Sequence, residues 1–149
     1  MERGPVVIDE QLKNFIVNEM NGSDIKLVIQ KHLSYNDVSQ ELNRLTMPSE
    51  KLVTHDFLTY DESQVLATKN YDGIEVQLVG PTLQMYNQSI SLRLWSMITA
   101  SKHYVYVFKT NWYKFVTDND ELKPGTKIQV WSFRRNKHQL CFAVVCPDT

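Results

Sequence analysis

The chain has 149 residues, enough for one hydrophobic core and short of what two would need. With 42% hydrophobic and 22% charged residues it has the make-up of an ordinary globular domain, and a formal net charge of −1 excludes a globally cationic nucleic-acid binder. No apolar run approaches the roughly 18 residues that cross a bilayer, and Met1-Glu2-Arg3-Gly4-Pro5 lacks the apolar stretch of a secretory signal.

The charge is unevenly placed. Two cations face five acids in residues 1–24, five face eight in 25–90, and nine face four in 91–149. Such a chain can present a basic face while staying near neutral overall. Cys141 and Cys146 lie five apart, an odd offset that points them to opposite faces of a strand and excludes a mutual disulfide. Two unpaired thiols suit a reducing compartment.

In chain order, Leu12, Phe15, Ile16 and Met20 form a helical stripe, with Asp9 as N-cap and Asn21-Gly22 as the stop. One apolar stripe implies that this helix lies on the main body. Ile25 to Ile29 predicts a strand. Ser34-Tyr35-Asn36-Asp37 has the spacing of a capping box, with Asp in place of the usual Glu, and predicts a short helix through Val38 and Leu42 that ends near Asn43. Arg44 to Met47 returns to strand, stopped by Pro48, and Ser49 to Leu58 holds a helical turn or two. Residues 59–72 read as loop with one edge strand.

From there alternation dominates: Ile74, Val76 and Leu78 up to Gly80-Pro81, then Ile90, Leu92 and Leu94, then Tyr104 to Phe108. Thr110 is placed to cap a short helix carrying Trp112, Phe115 and Val116. Lys123-Pro124-Gly125 turns into a strand from Lys127 to Phe133. A hairpin at Arg135-Asn136-Lys137 leads to Leu140–Val145, a run apolar enough to be buried on both faces. The expected fold is mainly β, a seven-stranded open antiparallel pseudobarrel with two or three short helices. It is divided into an N-terminal helical extension (1–24) and the barrel domain (25–149).

No catalytic apparatus is visible. His32, His55, His103 and His138 lack metal-ligand spacing, the cysteines form no CxxC, and no phosphate-loop, dinucleotide or nucleophile-elbow motif occurs. The acid pairs Asp61-Glu62 and Asp120-Glu121 read as solvated loop charge. The expectation is a binding module with no enzyme activity, no cofactor, no metal and no small-molecule substrate.

Three ordered stretches carry a family resemblance. Lys31 to Val38 with Asn43-Arg44-Leu45 and Met47-Pro48 resembles the opening of the plant B3 DNA-binding domain. Trp95, Ser101 and Tyr104 to Val107, then Trp112 and Phe115-Val116, are similar to its middle. Leu122 to Gly125, Ile128 to Arg134 and Leu140 to Ala143 are similar to its end. Val130 to Arg134 and Leu140 to Ala143 resemble a plant-specific B3-like branch long filed as a domain of unknown function. The resemblance implies a nuclear, transcription-related plant protein that grips the major groove of double-stranded DNA with two loop jaws, residues 31–44 and 95–104.

In the first jaw the candidate contacts are Lys31, His32, Ser34, Asn36 and Arg44. Arginine and lysine reach guanine O6 and N7, asparagine pairs with adenine, and serine bonds phosphate or base. Ser34 and Asp37 also read as a capping pair, and Arg44 is the strongest single candidate. In the second jaw the candidates are Ser96, Thr99, Ser101 and Lys102, with Trp95 and Tyr104 as core anchors. Met97 and Ile98 depart from the polar residues usual in that family, which weakens base readout. With Lys31, Arg44, Lys102 and a nearby Arg93, three or four phosphates are in reach, each worth about −0.9 in the salt slope. The alternative is a degenerate B3-like fold that serves as a protein-interaction or self-association module.

Overall fold

The computed structural model describes residues 6–68, 73–96 and 103–147, with Ser96 by its backbone alone. Seven strands are present: β1 (Gly22–His32), β2 (Leu45–Pro48), β3 (Ile74–Val79), β4 (Ile90–Ser96), β5 (Tyr104–Lys109), β6 (Lys127–Arg135) and β7 (Gln139–Val145). They form one sheet in the order β1-β6-β7-β3-β4-β5-β2. Every pairing is antiparallel except β3 with β7, which is parallel. The two edge strands approach one another. Val53 N–H donates to Val28 O at 2.8 Å, and the Lys31 ammonium reaches Thr46 O at 3.0 Å. The result is a half-closed barrel that is mostly antiparallel.

Alternation sorts the apolar side chains into two layers. Val76, Leu78, Ile90, Leu92, Phe108, Val130, Phe142 and Val144 fill the interior. Trp131, Phe133, Cys141, Ala143 and Val145 face outward and are covered by Leu12, Ile16 and Met20 of the N-terminal helix. This double covering is why β7 reads as an uninterrupted apolar run and is buried from Leu140 to Val145. A bulge in β1 serves both layers. Leu27 pairs with Trp131 and Ile29 with Val130, so Leu27 faces the helix while Val28 and Ile29 both enter the barrel.

The N-terminal helix begins where Asp9 accepts from the N–H groups of Gln11 and Leu12. It runs as α1 (Glu10–Asn14) and widens into a π turn over Phe15–Glu19. Three expectations need correction. Instead of a helix through Leu42, a single 3₁₀ turn forms over Asn36–Val38, and Ser39 is already extended. The chain next closes a turn through Asn43 N–H to Ser39 O, with Asn43 at φ 46°, a geometry that ends any helix.

Residues 60–67, expected as loop, are α2 (Tyr60–Ala67), capped by a full Thr59/Glu62 box. Its weak apolar stripe hid it; the Thr59-x-x-Glu62 spacing was the available signal. The helix α3 (Trp112–Thr117) does carry buried Trp112, Phe115 and Val116. Its cap, however, is Asn111 in the left-handed region, with no side-chain cap bond, and not Thr110. The Asn111 amide is spent on Ser89 O instead.

Tertiary ties hold α2. Both Arg134 guanidinium nitrogens donate to the Glu62 carboxylate at 2.7 Å, and Phe57 O accepts a third bond. Burial works against ionisation of Glu62, but the Arg134 and Thr59 hydrogen bonds outweigh it and hold the carboxyl below its ordinary value.

Two predictions follow from these contacts. A methyl at Gly22 would lie 2.8 Å from Ile16 O and closer still to the Ile16 side chain. Gly22→Ala is therefore expected to cost about 1–3 kcal/mol in denaturant titration. Because the folded Glu62 pKa is depressed, its contribution is complete above the unfolded value near 4.5 and lost as pH falls through the folded one. Glu62→Gln is expected to cost about 2 kcal/mol at neutral pH. Its deficit against the parent should shrink in acid, as measured by stability at pH 7 and pH 3.

Candidate functional site

The first jaw is built around Asp37, whose side chain is buried at 3% exposure in a loop that is otherwise mostly open. Its Oδ2 accepts the Ser34 N–H at 2.9 Å, and its own N–H donates to Ser34 Oγ at 3.2 Å, completing the reciprocal cap. The Lys31 ammonium stands 3.0 Å from the same Oδ2. From the core side, the Trp112 indole N–H donates to Asp37 O at 2.7 Å. The loop is tied again at Leu33, whose N–H donates to Thr126 O and whose carbonyl accepts from Gly125 N–H. These bonds converge on the buried Asp37 and Leu33 and act together to hold the turn.

This network assigns the sequence candidates unequal places. Lys31 lies at the base of the jaw, its charge matched by Asp37 and its second contact on Thr46 O. Ser34 Oγ is engaged as the cap. His32, Tyr35 and Asn36 are exposed. Neither Tyr35 nor Asn36 makes a side-chain hydrogen bond within the described residues.

The other end of the jaw opens onto the outer face of the β4-β5-β2 sheet. Leu45 pairs with Phe108, and Leu92 pairs with Phe108 from the other side, all three pointing inward. The alternate residues therefore point outward: Arg44 and Thr46 by β2, Lys109 and Val107 on β5, and Ser91, Arg93 and Trp95 on β4. The Arg44 guanidinium sits over the Trp95 ring, 5.2 Å from its centroid. Trp95 is thus half-buried on the outer face and is not a core anchor. Tyr104 does turn inward, edge-on to Tyr106. The Arg44–Trp95 contact joins the end of the first jaw to the root of the second.

Arg93 and Lys109 complete a cationic cluster with Arg44. The Lys109 ammonium donates to Leu42 O at 3.1 Å, and the Arg93 Nε to Ser91 Oγ at 3.1 Å. Partial burial pushes the Lys109 pKa down, and the charges of Arg93 and Arg44 push it further. None of the three forms an ion pair with a described carboxylate, and Glu75, opposite Ser91 on the neighbouring strand, is not paired with them. Three mutually repelling cations on one face favour an anion above it.

Lys109 escaped sequence reading because nothing in Tyr104 to Lys109 marks its last residue as facing Arg44; only the register does. Of the second jaw, Thr99, Ser101 and Lys102, together with Met97, Ile98 and the Ser96 side chain, lie outside the described residues. His103, at its far root, stands 3.4 Å from Glu50, and Tyr104 N–H donates to Ser49 Oγ.

Lys31 and Arg44 are therefore separable. Removing the Asp37 carboxylate leaves the Lys31 ammonium and the Ser34 N–H without their partner, and Asp37→Ala is expected to cost about 2–4 kcal/mol in thermal or denaturant unfolding. Arg44→Ala, half-exposed at a cation–π contact, is expected to cost about 1 kcal/mol or less in the same measurement.

Residues 8–148 match the family model described as B3 domain-containing protein At2g31720-like. Among curated proteins of Arabidopsis thaliana, the chain is 36% identical to B3 domain-containing protein At1g05920 over 142 residues, 90% of this chain and 44% of the relative. It is 30% identical to B3 domain-containing protein At2g31720, over 98% of this chain and 48% of the relative. It is 32% identical to B3 domain-containing protein At2g32645, over 83% and 66%. The chain thus spans less than half the length of the first two relatives. With the half-closed seven-stranded barrel and the ordered motifs, the match establishes that this chain belongs to the B3 domain-containing At2g31720-like family.

Proposed function

We propose that the chain is a duplex-DNA-binding module of a nuclear, transcription-related plant protein, acting by binding and not by catalysis. The observation that carries this reading is the cluster of Arg44, Arg93 and Lys109 on one face, without a paired carboxylate among the described residues. Folding gathers these cations from β4, β5 and the segment just before β2 at the cost of mutual repulsion, and a phosphate backbone lying across them relieves it. The end of the first jaw, Arg44, and the root of the second, Trp95, meet on that face.

The face supplies three cations where sequence reading counted on Lys31 and Lys102 as well. With Lys31 held by Asp37, we assign it a structural role and assign phosphate contact to Arg44, Arg93 and Lys109. The log–log salt slope expected from these three is about −2.7. Such binding is modest and falls quickly with salt, and a second module in a longer chain would strengthen it.

The test is selection from a random duplex pool followed by titration at two salt concentrations. Arg44→Ala, Arg93→Ala and Lys109→Ala are each expected to weaken binding to every duplex and to reduce the slope by about 0.9. Lys31→Met is expected to lower stability while leaving the slope unchanged. Retention of no duplex even at low salt would discard the DNA reading in favour of a protein-interaction module, a reading to which the Lys31–Asp37 and His103–Glu50 pairs lend support.

A further inference from the structure

We propose that Asn43 is a positioning residue for duplex binding: its side chain caps α3 from outside that helix and so fixes Arg44 on the cationic face. The inference rests on the DNA reading above and concerns how one of its phosphate contacts is held in place. The helix α3 has no cap of its own, since Asn111 lies in the left-handed region and makes no side-chain cap bond. The N–H of Tyr113, the second residue of the helix, is one of the donors that a cap ordinarily takes. It donates instead to Asn43 Oδ1 at 2.7 Å, across 70 residues of chain. Asn43 also sits at φ 46°, where the chain leaves the turn closed on Ser39 O and heads into β2. Asparagine adopts that backbone more readily than most residues with a side chain. One residue therefore serves both the turn and the helix, and the next residue is Arg44.

Among the described residues, three hydrogen bonds tie the segment 37–43 to the segment 109–113. The Trp112 indole donates to Asp37 O, the Lys109 ammonium to Leu42 O and the Tyr113 N–H to Asn43 Oδ1. They are not equivalent. The first holds the end of the segment away from Arg44. The second depends on an ammonium that belongs to the cationic face, where a phosphate competes for it. The third lies next to Arg44 and uses uncharged groups that an anion does not draw away. Arg44 is a long side chain whose guanidinium stands 5.2 Å from the centre of the Trp95 ring. The ring steadies its far end and the Asn43 cap its backbone, so less freedom is lost when a phosphate arrives. Releasing the cap leaves the charge in place and unsettles where it points.

The experiment measures duplex affinity at two salt concentrations in the parent, Asn43→Gly, Arg44→Ala and the chain carrying both changes, at a temperature where all are folded. Glycine keeps the left-handed backbone and removes only the cap. Asn43→Gly is expected to weaken binding roughly fivefold and to lower the salt slope toward that of Arg44→Ala. Added to Arg44→Ala it is expected to change neither quantity, because the side chain it positions is gone. Glu62→Gln, destabilised away from this face, is expected to bind as the parent does. Without DNA, the indole resonance of Trp95 is expected to shift in Asn43→Gly and in Arg44→Ala and to stay in place in Glu62→Gln. Should Asn43→Gly fail to fold, Asn43→Asp takes its place, since it keeps an acceptor for the Tyr113 N–H and tolerates the same backbone. In that background Arg44→Ala is expected to lower the slope by about 0.9, as in the parent.

Parental affinity in Asn43→Gly overturns the proposal, as does an indole resonance that does not shift. Additive losses in the doubly changed chain overturn it too, since they give Asn43 a DNA contact of its own. An equal weakening in Glu62→Gln makes lowered stability the cause and has the same consequence, as does a missing Arg44 increment beside Asn43→Asp. Each of these leaves the DNA reading standing while Arg44→Ala still weakens binding. A parent that retains no duplex at low salt fails differently, removing the DNA reading itself and this proposal with it.

Discussion

The buried carboxylate of Asp37 is the constraint on which the interface depends. Where the first jaw meets the barrel, its Oδ2 accepts from the Ser34 N–H and faces the Lys31 ammonium, while the residue's backbone N–H donates to Ser34 Oγ and its backbone carbonyl accepts from the Trp112 indole. A carboxylate so enclosed is tolerable only if every lone pair is answered. That demand fixes the loop's shape. It also decides which side chains remain outside, since Lys31 and Ser34 are consumed in the answer and Tyr35 and Asn36 are left on the rim.

The barrel beneath is a sheet served by two apolar layers. Its interior is closed by alternating residues of all seven strands, while the outer surface of β6 and β7 is covered by the N-terminal helix. The covering helix and the cationic face occupy different parts of the same sheet, the first over β6 and β7, the second over β4, β5 and β2. One sheet thus provides a sealed surface and a functional one.

Stability and binding are at odds on the cationic face. Arg44 gains from the Trp95 ring, yet Lys109 is depressed by burial and by its two arginine neighbours. A surface selected for stability alone would place a carboxylate among them. Uncompensated like charge on a rigid strand face is the pattern expected where an external anion completes the electrostatics. The Glu62–Arg134 pair shows the alternative within the same chain: two charges fully answered by one another, holding α2 in place and contributing nothing outward.

Much of this was legible in the residue order. Period-two alternation located the strands, Gly80-Pro81 and Lys123-Pro124-Gly125 placed the breaks, and the ordered motifs pointed to the family. Asp9 and the Ser34–Asp37 pair announced their capping roles, because capping depends on neighbours two or three residues away. The sequence erred where apolar periodicity was faint or distant partners intervened: α2 rests on the local Thr59/Glu62 box and on Arg134, and Asn43, engaged by Tyr113 N–H, ends the helix expected through Leu42. The composition of the interface also had to wait for the fold. Whether Lys31 is free or paired, whether Trp95 points in or out, and whether Lys109 stands beside Arg44 are matters of register and of contacts across many residues. Local chemistry determined most of the elements, whereas contacts between residues distant in the chain, through sheet register and packed turns, decided which charges meet and which are cancelled.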